Sequence, residues 1–159
     1  MIMGFPGVGK TYIKESFKGT DIKILDSDSS NFPKDDFPAN YFAYLESVYK
    51  DFDLIFISTH KDVREGIKKT YLVDDCYICV CYPDKSLKKA WIERFRNRGN
   101  NETFCKLIED HYDEWIDEIE ADDTFYKLKL TKPNGYLLDE LKWQFKWYDL
   151  NQKVFNEFK

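Results

Sequence analysis

The chain has 159 residues, 43% of them hydrophobic, 18% aromatic and 33% charged, with a formal net charge of −5. That length gives one domain with one core, spanning 1–159, and the 13 Phe, 11 Tyr and 4 Trp supply enough apolar surface to exclude a disordered chain. The acidic balance argues against a protein that grips nucleic acid by its backbone charge; no apolar run reaches the length of a membrane span, and no leader pattern opens the chain, so a cytoplasmic protein is expected.

Strands and helices alternate along the chain. A very short strand over 1–3 runs into a glycine-rich loop, 4–9, and a helix over 10–17. A strand over 21–28 follows, then a loop over 29–39 that carries Ser29, Ser30, Asn31, Pro33 and Pro38. A helix over 39–50, an apolar strand over 54–59 and a helix over 61–69 come next. The spacing then predicts a strand over 76–82 and helices over 85–98 and 101–121, divided by Gly99-Asn100. A strand over 124–131 and a long helix from 136 complete the chain. Such alternation predicts an α/β fold with a mostly parallel sheet covered on both faces. The runs 54–57 and 77–80 are apolar throughout, as in strands buried on both sides. Ligands of these sheets bind at the C-terminal strand ends, so function is sought just after residues 3, 28, 58 and 82.

Two features carry no assigned chemistry. Cys76, Cys79, Cys81 and Cys105 form no disulfide framework; they are expected as buried reduced thiols, with a zinc or redox pair at Cys76 and Cys79 as the alternative. The last helix has one apolar stripe of Leu137, Leu138, Leu141 and Phe145 to cover the sheet. A second stripe of Trp143, Trp147, Leu150, Val154 and Phe158 either wraps further around the domain or forms a homodimer face.

Gly4-Phe5-Pro6-Gly7-Val8-Gly9-Lys10-Thr11 matches GxxxxGK[ST] at every defined position. Glycines let successive backbone amides turn inward on phosphate oxygens, and the helix that follows points its positive end at them. Lys10 reaches the β- and γ-phosphates and Thr11 ligates Mg²⁺, while Gly4, Gly7, Val8, Gly9 and Tyr12 complete the nucleotide site. The strand over 21–28 ends in Asp26-Ser27-Asp28. One carboxylate suits Mg²⁺, as assigned to Asp26, and the other suits an acceptor hydroxyl, as assigned to Asp28; a solvated, capping Asp/Ser turn is the alternative. The strand over 54–59 runs into Ser58-Thr59-His60, without the metal-binding Asp found there in motor-type ATPases and regulatory GTPases. His60, Lys61 and Arg64 open on the same edge, either as acceptor ligands or as solvated surface.

Of the 24 basic residues, Arg is confined to Arg64, Arg94, Arg96 and Arg98, three of them in the segment Glu93-Arg94-Phe95-Arg96-Asn97-Arg98-Gly99. Arg94 and Arg98, at i and i+4, share a helix face, and their planar forks match phosphate oxygens. They are expected as catalytic clamps on a mobile helical flap, the alternative being ion pairs with Glu93 or Glu102.

The loop 4–11, the Asp26-Ser27-Asp28 turn and the arginine segment together resemble the small P-loop kinases, the group of nucleoside monophosphate, shikimate and gluconate kinases. The arginine segment looks like the lid of guanylate kinases, the paired aspartates look more like shikimate kinases, and the whole resembles small phage-type nucleotide kinases. The tyrosine and serine set by which guanylate kinases read guanine is missing. The resemblance implies a three-layer α/β/α sandwich with a five-stranded parallel sheet in the order 2-3-1-4-5, an acceptor region at about 29–50 and a lid at about 84–100. It also implies ATP with Mg²⁺ as donor and a nucleotide or nucleoside as acceptor, with Lys10, Asp26, Asp28, Arg94 and Arg98 as the catalytic set. A kinase for polynucleotide 5′-hydroxyl ends and a non-catalytic nucleotide-binding protein are the rival readings.

Overall fold

Five short strands pair side by side, each parallel to its neighbour, because the helices between them return the chain to the same edge. They are β1 (Ile2–Gly4), β2 (Ile24–Asp26), β3 (Leu54–Ile57), β4 (Cys79–Pro83) and β5 (Tyr126–Leu130), in the computed structural model, which describes residues 1–144. The sheet order is β2-β3-β1-β4-β5, the order implied by the resemblance. The register places Met3 beside Ile57 and Val80, Gly4 beside Cys81, and Asp26 beside Phe56, so the loops after β1, β2 and β3 leave from one edge. Strand β4 is buried at every position, whereas β5 alternates, with Tyr126 and Lys129 exposed and Leu128 and Leu130 buried. The alternation marks β5 as a sheet edge, blunted by charge.

Helices α1 (Lys10–Ser16), α2 (Ala39–Val48), α3 (Lys61–Ile67), α4 (Leu72–Asp75), α5 (Lys88–Asn97), α6 (Glu102–Ala121) and α7 (Leu137–Gln144) connect and follow the strands. Right-handed crossovers assign α1 to one face and α2, α3, α5 and α6 to the other. Contacts agree with this: Arg64 of α3 reaches Glu118 of α6, and Tyr12 of α1 lies 6.5 Å from Tyr136 at the start of α7. Leu137, Leu138 and Leu141 are buried as the first stripe of the last helix requires. Phe145 and most of the second stripe (Trp147, Leu150, Val154 and Phe158) lie outside the described residues, as does any homodimer face there.

Several boundaries differ from the sequence expectation, each for a local reason. Strand β2 begins at Ile24 rather than Asp21: Thr20 Oγ1 accepts the Ile22 amide and Asp53 Oδ2 the Lys23 amide, so these two amides bond to side chains, while the Lys23 carbonyl still accepts the Leu54 amide. The short helix α4 was not expected, and the chain joins the ladder at Cys79 rather than at Cys76. Asp84 accepts the Ser86 amide at 2.9 Å, so a 3-10 turn over Lys85–Leu87 precedes α5. Gly99 ends α5 as expected: its φ of 80° is left-handed, and its amide and that of Asn100 donate to Arg96 and Phe95 carbonyls. Asn101 then caps α6 by accepting the Phe104 amide.

All four cysteines are free, and Cys79, Cys81 and Cys105 are buried. Burial pushes the Cys79 thiol up to about 11, so it is protonated at neutral pH. Among the described residues no group of three or more His, Cys, Asp or Glu could hold a metal, and no helix is long and apolar enough to cross a membrane.

Candidate active site

The strand edge that carries Gly4, Asp26 and Ile57 opens into a cleft of about 1160 Å³. Every residue singled out above for nucleotide, metal or acceptor lines it, from the loop 4–11 and Tyr12 through Asp26, Asp28, His60, Lys61 and Arg64 to Arg94 and Arg98.

The loop is fixed by its carbonyls. Trp91 Nε1 donates to the Pro6 carbonyl at 2.8 Å, Arg94 Nη1 to that of Gly7 at 2.9 Å, and the Leu137 amide to that of Val8 at 2.9 Å. Three outside donors thus tie three successive carbonyls away from the cleft. Among the described residues the amides of Gly9, Lys10 and Thr11 have no acceptor, a set of unpaired donors suited to an anion. Gly7 has φ of 85°, and a Cβ there would come within 3.0 Å of Phe95 and Trp91; both the backbone and the space demand glycine. A Cβ on Gly4 would lie 2.6 Å from Lys10 Cδ, so the bare end of β1 is what lets the lysine stem cross it.

Lys10 donates its ammonium to the Gly4 carbonyl. Burial pushes its pKa below the usual lysine value, opposed by Asp26 and Asp28 and reinforced by Arg98. Asp26, Asp28 and Arg98 line the same cleft as the lysine. Thr11 Oγ1 donates to Asp26 Oδ2 at 3.2 Å, joining the start of α1 to the end of β2. Asp28 Oδ1 accepts the Ser30 amide at 2.9 Å, so this exposed carboxylate caps a turn, as in the alternative read from sequence, and also lines the cleft. Tyr41 of α2 is fully buried and donates to the Ser27 carbonyl at 2.9 Å, which holds the Asp26–Asp28 segment from behind. Burial raises the Tyr41 pKa to about 12.

The four arginines divide sharply. Arg94, expected as a clamp, is sandwiched between the Trp91 and Tyr136 rings, with its guanidinium carbon 3.9 Å and 4.4 Å from their centroids. It donates to the carbonyls of Gly7, Pro133 and Gly135. Its donors are engaged in backbone, so it positions the loop instead of reaching across the cleft. Arg96 pairs with Glu102 at 3.0 Å on the surface, the alternative read from sequence. Arg98 is exposed and lines the cleft; its amide donates to the Arg94 carbonyl, and its guanidinium has no hydrogen bond or ion pair among the described residues. The expected flap is, over α5, a packed helix with Trp91, Ile92 and Phe95 buried; only the turn from Arg98 onward stands at the mouth.

Arg64 is 3% exposed and has no free donor face. Nη2 meets Glu118 Oε2 at 2.8 Å, Nε donates to the Thr59 carbonyl at 3.1 Å, and Nη1 lies 3.7 Å from Asp122 Oδ2. Lys61 pairs with the other oxygen of Glu118 at 2.7 Å. Both cations therefore join α3 to α6, where the sequence reading left acceptor ligands and solvated surface as alternatives. His60 sits edge-on to Trp115, with centroids 6.5 Å apart, and partial burial, then the Lys34 charge, push its pKa below the usual histidine value.

Trp91, Tyr41, Trp115 and the turn Lys132-Pro133-Asn134-Gly135-Tyr136 were not singled out from sequence. The turn had a signal: Asn-Gly directly after a strand's C-terminal end, on the functional edge. The buried aromatics had none, since nothing in one sequence says which ring's polar tip reaches a loop carbonyl. No family model matches the chain, and comparison with curated proteins and with solved structures gave no match.

Proposed function

We propose that this chain is a phosphotransferase of the P-loop kinase kind, moving the γ-phosphoryl group of ATP to a small acceptor of the nucleotide or nucleoside type. The observation that carries the reading is the loop 4–11: the carbonyls of Pro6, Gly7 and Val8 are tied by outside donors, and the amides of Gly9, Lys10 and Thr11 stand unpaired among the described residues, beside the Lys10 ammonium and the Thr11–Asp26 pair. A loop held this way suits the tail of a triphosphate, because its donors need no rearrangement when the anion arrives.

Lys10 and the amides of Gly9, Lys10 and Thr11 hold the β- and γ-phosphate oxygens. Mg²⁺ takes oxygen ligands and keeps several waters, so a hydroxyl and a carboxylate 3.2 Å apart at the end of the loop fit it without a larger protein cage. Thr11 and Asp26 would hold the ion, and it supplies neutralisation of phosphate charge when bound. Arg98 faces the same space with its fork unoccupied and stabilises the charge that develops on the transferred group. Asp28 orients the acceptor. Arg94 acts at one remove by fixing Gly7, and the chemistry is positioning and charge neutralisation.

The test is an ATP-consumption screen over nucleosides, nucleoside monophosphates, sugars and 5′-hydroxyl oligonucleotides. The reading predicts ADP formed in equal amount with one phosphorylated acceptor. A protein that binds ATP and phosphorylates nothing is a nucleotide-binding module instead, and one that binds no ATP contradicts the reading at its root.

A further inference from the structure

Trp115 has no part in the kinase reading, on which this inference rests, yet it stands in the same cleft. Helix α6 turns two faces inward. Cys105, Ile108, Tyr112, Ile116 and Ile119 form its buried stripe. Phe104, Trp115 and Glu118 fall on a neighbouring face and line the cleft. Trp91 shows what a purely structural tryptophan of this protein looks like: it is 0% exposed, with its indole N–H on the Pro6 carbonyl. Trp115 is only half-buried, and part of its ring stays open to the cleft.

Three other rings fix the plane of this indole. His111 stacks on it, 12° from parallel with centroids 5.3 Å apart. Phe5 meets it at 64° and 6.4 Å, and His60 at 72° and 6.5 Å. Phe5 belongs to the phosphate loop and His60 follows β3, so the indole stands where the loop meets the wall built by α3 and α6. One turn further along α6, Glu118 is held by Arg64 at 2.8 Å and by Lys61 at 2.7 Å, which ties this stretch of helix to α3. The ring is therefore set before a ligand arrives, and an aromatic group laid on it loses little to ordering the protein. We propose that Trp115 is the platform on which the acceptor's aromatic ring stacks. The acceptor would then be read from α6, outside the 29–50 region expected from the sequence. The contact selects for a flat aromatic group such as a nucleobase and is indifferent to whether the reacting end is a hydroxyl or a phosphate.

Matched probes with and without a base test this on the full chain. The protein is first saturated with Mg²⁺ and a non-hydrolysable ATP analogue; if the analogue does not bind, the kinase reading has failed and this inference falls with it. With the analogue bound, nucleosides and nucleoside 5′-monophosphates are titrated in a calorimeter against ribose and ribose 5-phosphate, their base-free counterparts. At least one base-carrying probe should bind about tenfold or more tightly than its counterpart, within the range that one stacked base contributes. Trp115→Leu should weaken that probe by about tenfold or more and its base-free counterpart by less than about twofold, a difference that a merely structural role would not produce. Trp115→Phe keeps a ring and should hold affinity within about threefold. A further readout needs no leucine variant: the emission lost between the wild type and Trp115→Phe belongs to this indole, and the base-carrying probe alone should quench it. No base-carrying probe bound, equal binding of both kinds, an equal loss of both in Trp115→Leu, or emission unchanged by the bound probe overturns the inference.

Discussion

Arg64 and Arg98 line the same cleft, and their surroundings could hardly differ more. Arg64 is 3% exposed and held by Glu118, Asp122 and the Thr59 carbonyl, while Arg98 is exposed and unpaired among the described residues. The wall built by α3 and α6 uses its cations to hold two helices together. The wall built by the loop 4–11 and the end of α5 leaves its cations open to an incoming anion. Arg94 stands between these cases, with its fork on backbone carbonyls and its plane between two rings. A guanidinium in a cleft is thus no guide to function until its donors have been accounted for.

The contrast predicts a double dissociation. Arg64→Met leaves Glu118 and Asp122 without their buried partner and should cost about 3 kcal/mol of stability, near the low end for breaking a buried pair because Glu118 is partly exposed. Arg98→Ala should leave the melting temperature unchanged and lower kcat by about 10²-fold or more, with little change in ATP affinity. If Arg98→Ala unfolds the protein, or Arg64→Met keeps full stability and loses only turnover, the division between the walls is wrong. Arg94→Lys sharpens the comparison: the ammonium cannot reach three carbonyls at once, so the KM for ATP should rise while the variant remains folded. Tyr41→Phe, which removes the donor to the buried Ser27 carbonyl, should cost about 1–3 kcal/mol, read from chemical denaturation.

The order of elements and the loop 4–11 were legible because both are local. The pattern of apolar runs is set by what each strand buries, and the loop spacing is set by what its backbone must do. The edge where the cleft opens followed from the parallel sheet, and the Thr11–Asp26 contact joins two segments that were each named in advance. The roles of Arg64 and Arg94 were not legible, because they depend on where Glu118 and the 133–136 turn fall in space. Arg96 was legible as one of two options, its partner Glu102 being only six residues away. For the expected flap, the run of arginines gave no sign that Trp91, Ile92 and Phe95 of α5 are buried, nor that Arg94 stacks on Trp91.

The smallest expected effect concerns protons. Burial holds the Lys10 pKa below its usual value, so the unfolded chain binds that proton more tightly than the folded one. The cost of the buried charge is therefore present at neutral pH and is relieved as pH rises from the folded to the unfolded pKa. A phosphate group beside Lys10 reverses the shift, so ATP binding at about pH 9 should take up protons, seen as binding heats that depend on the buffer's ionisation enthalpy. Lys10→Met should abolish that dependence.

The loop's hold on a triphosphate is tested most directly by titrating ATP with Mg²⁺ into the wild-type chain and into Lys10→Met in a calorimeter. The account predicts one site per chain in the wild type and an affinity lower by about tenfold or more in the variant, which keeps the fold because Met retains the buried stem of Lys10. Equal affinities for the two proteins, or no binding to the wild type, would contradict it.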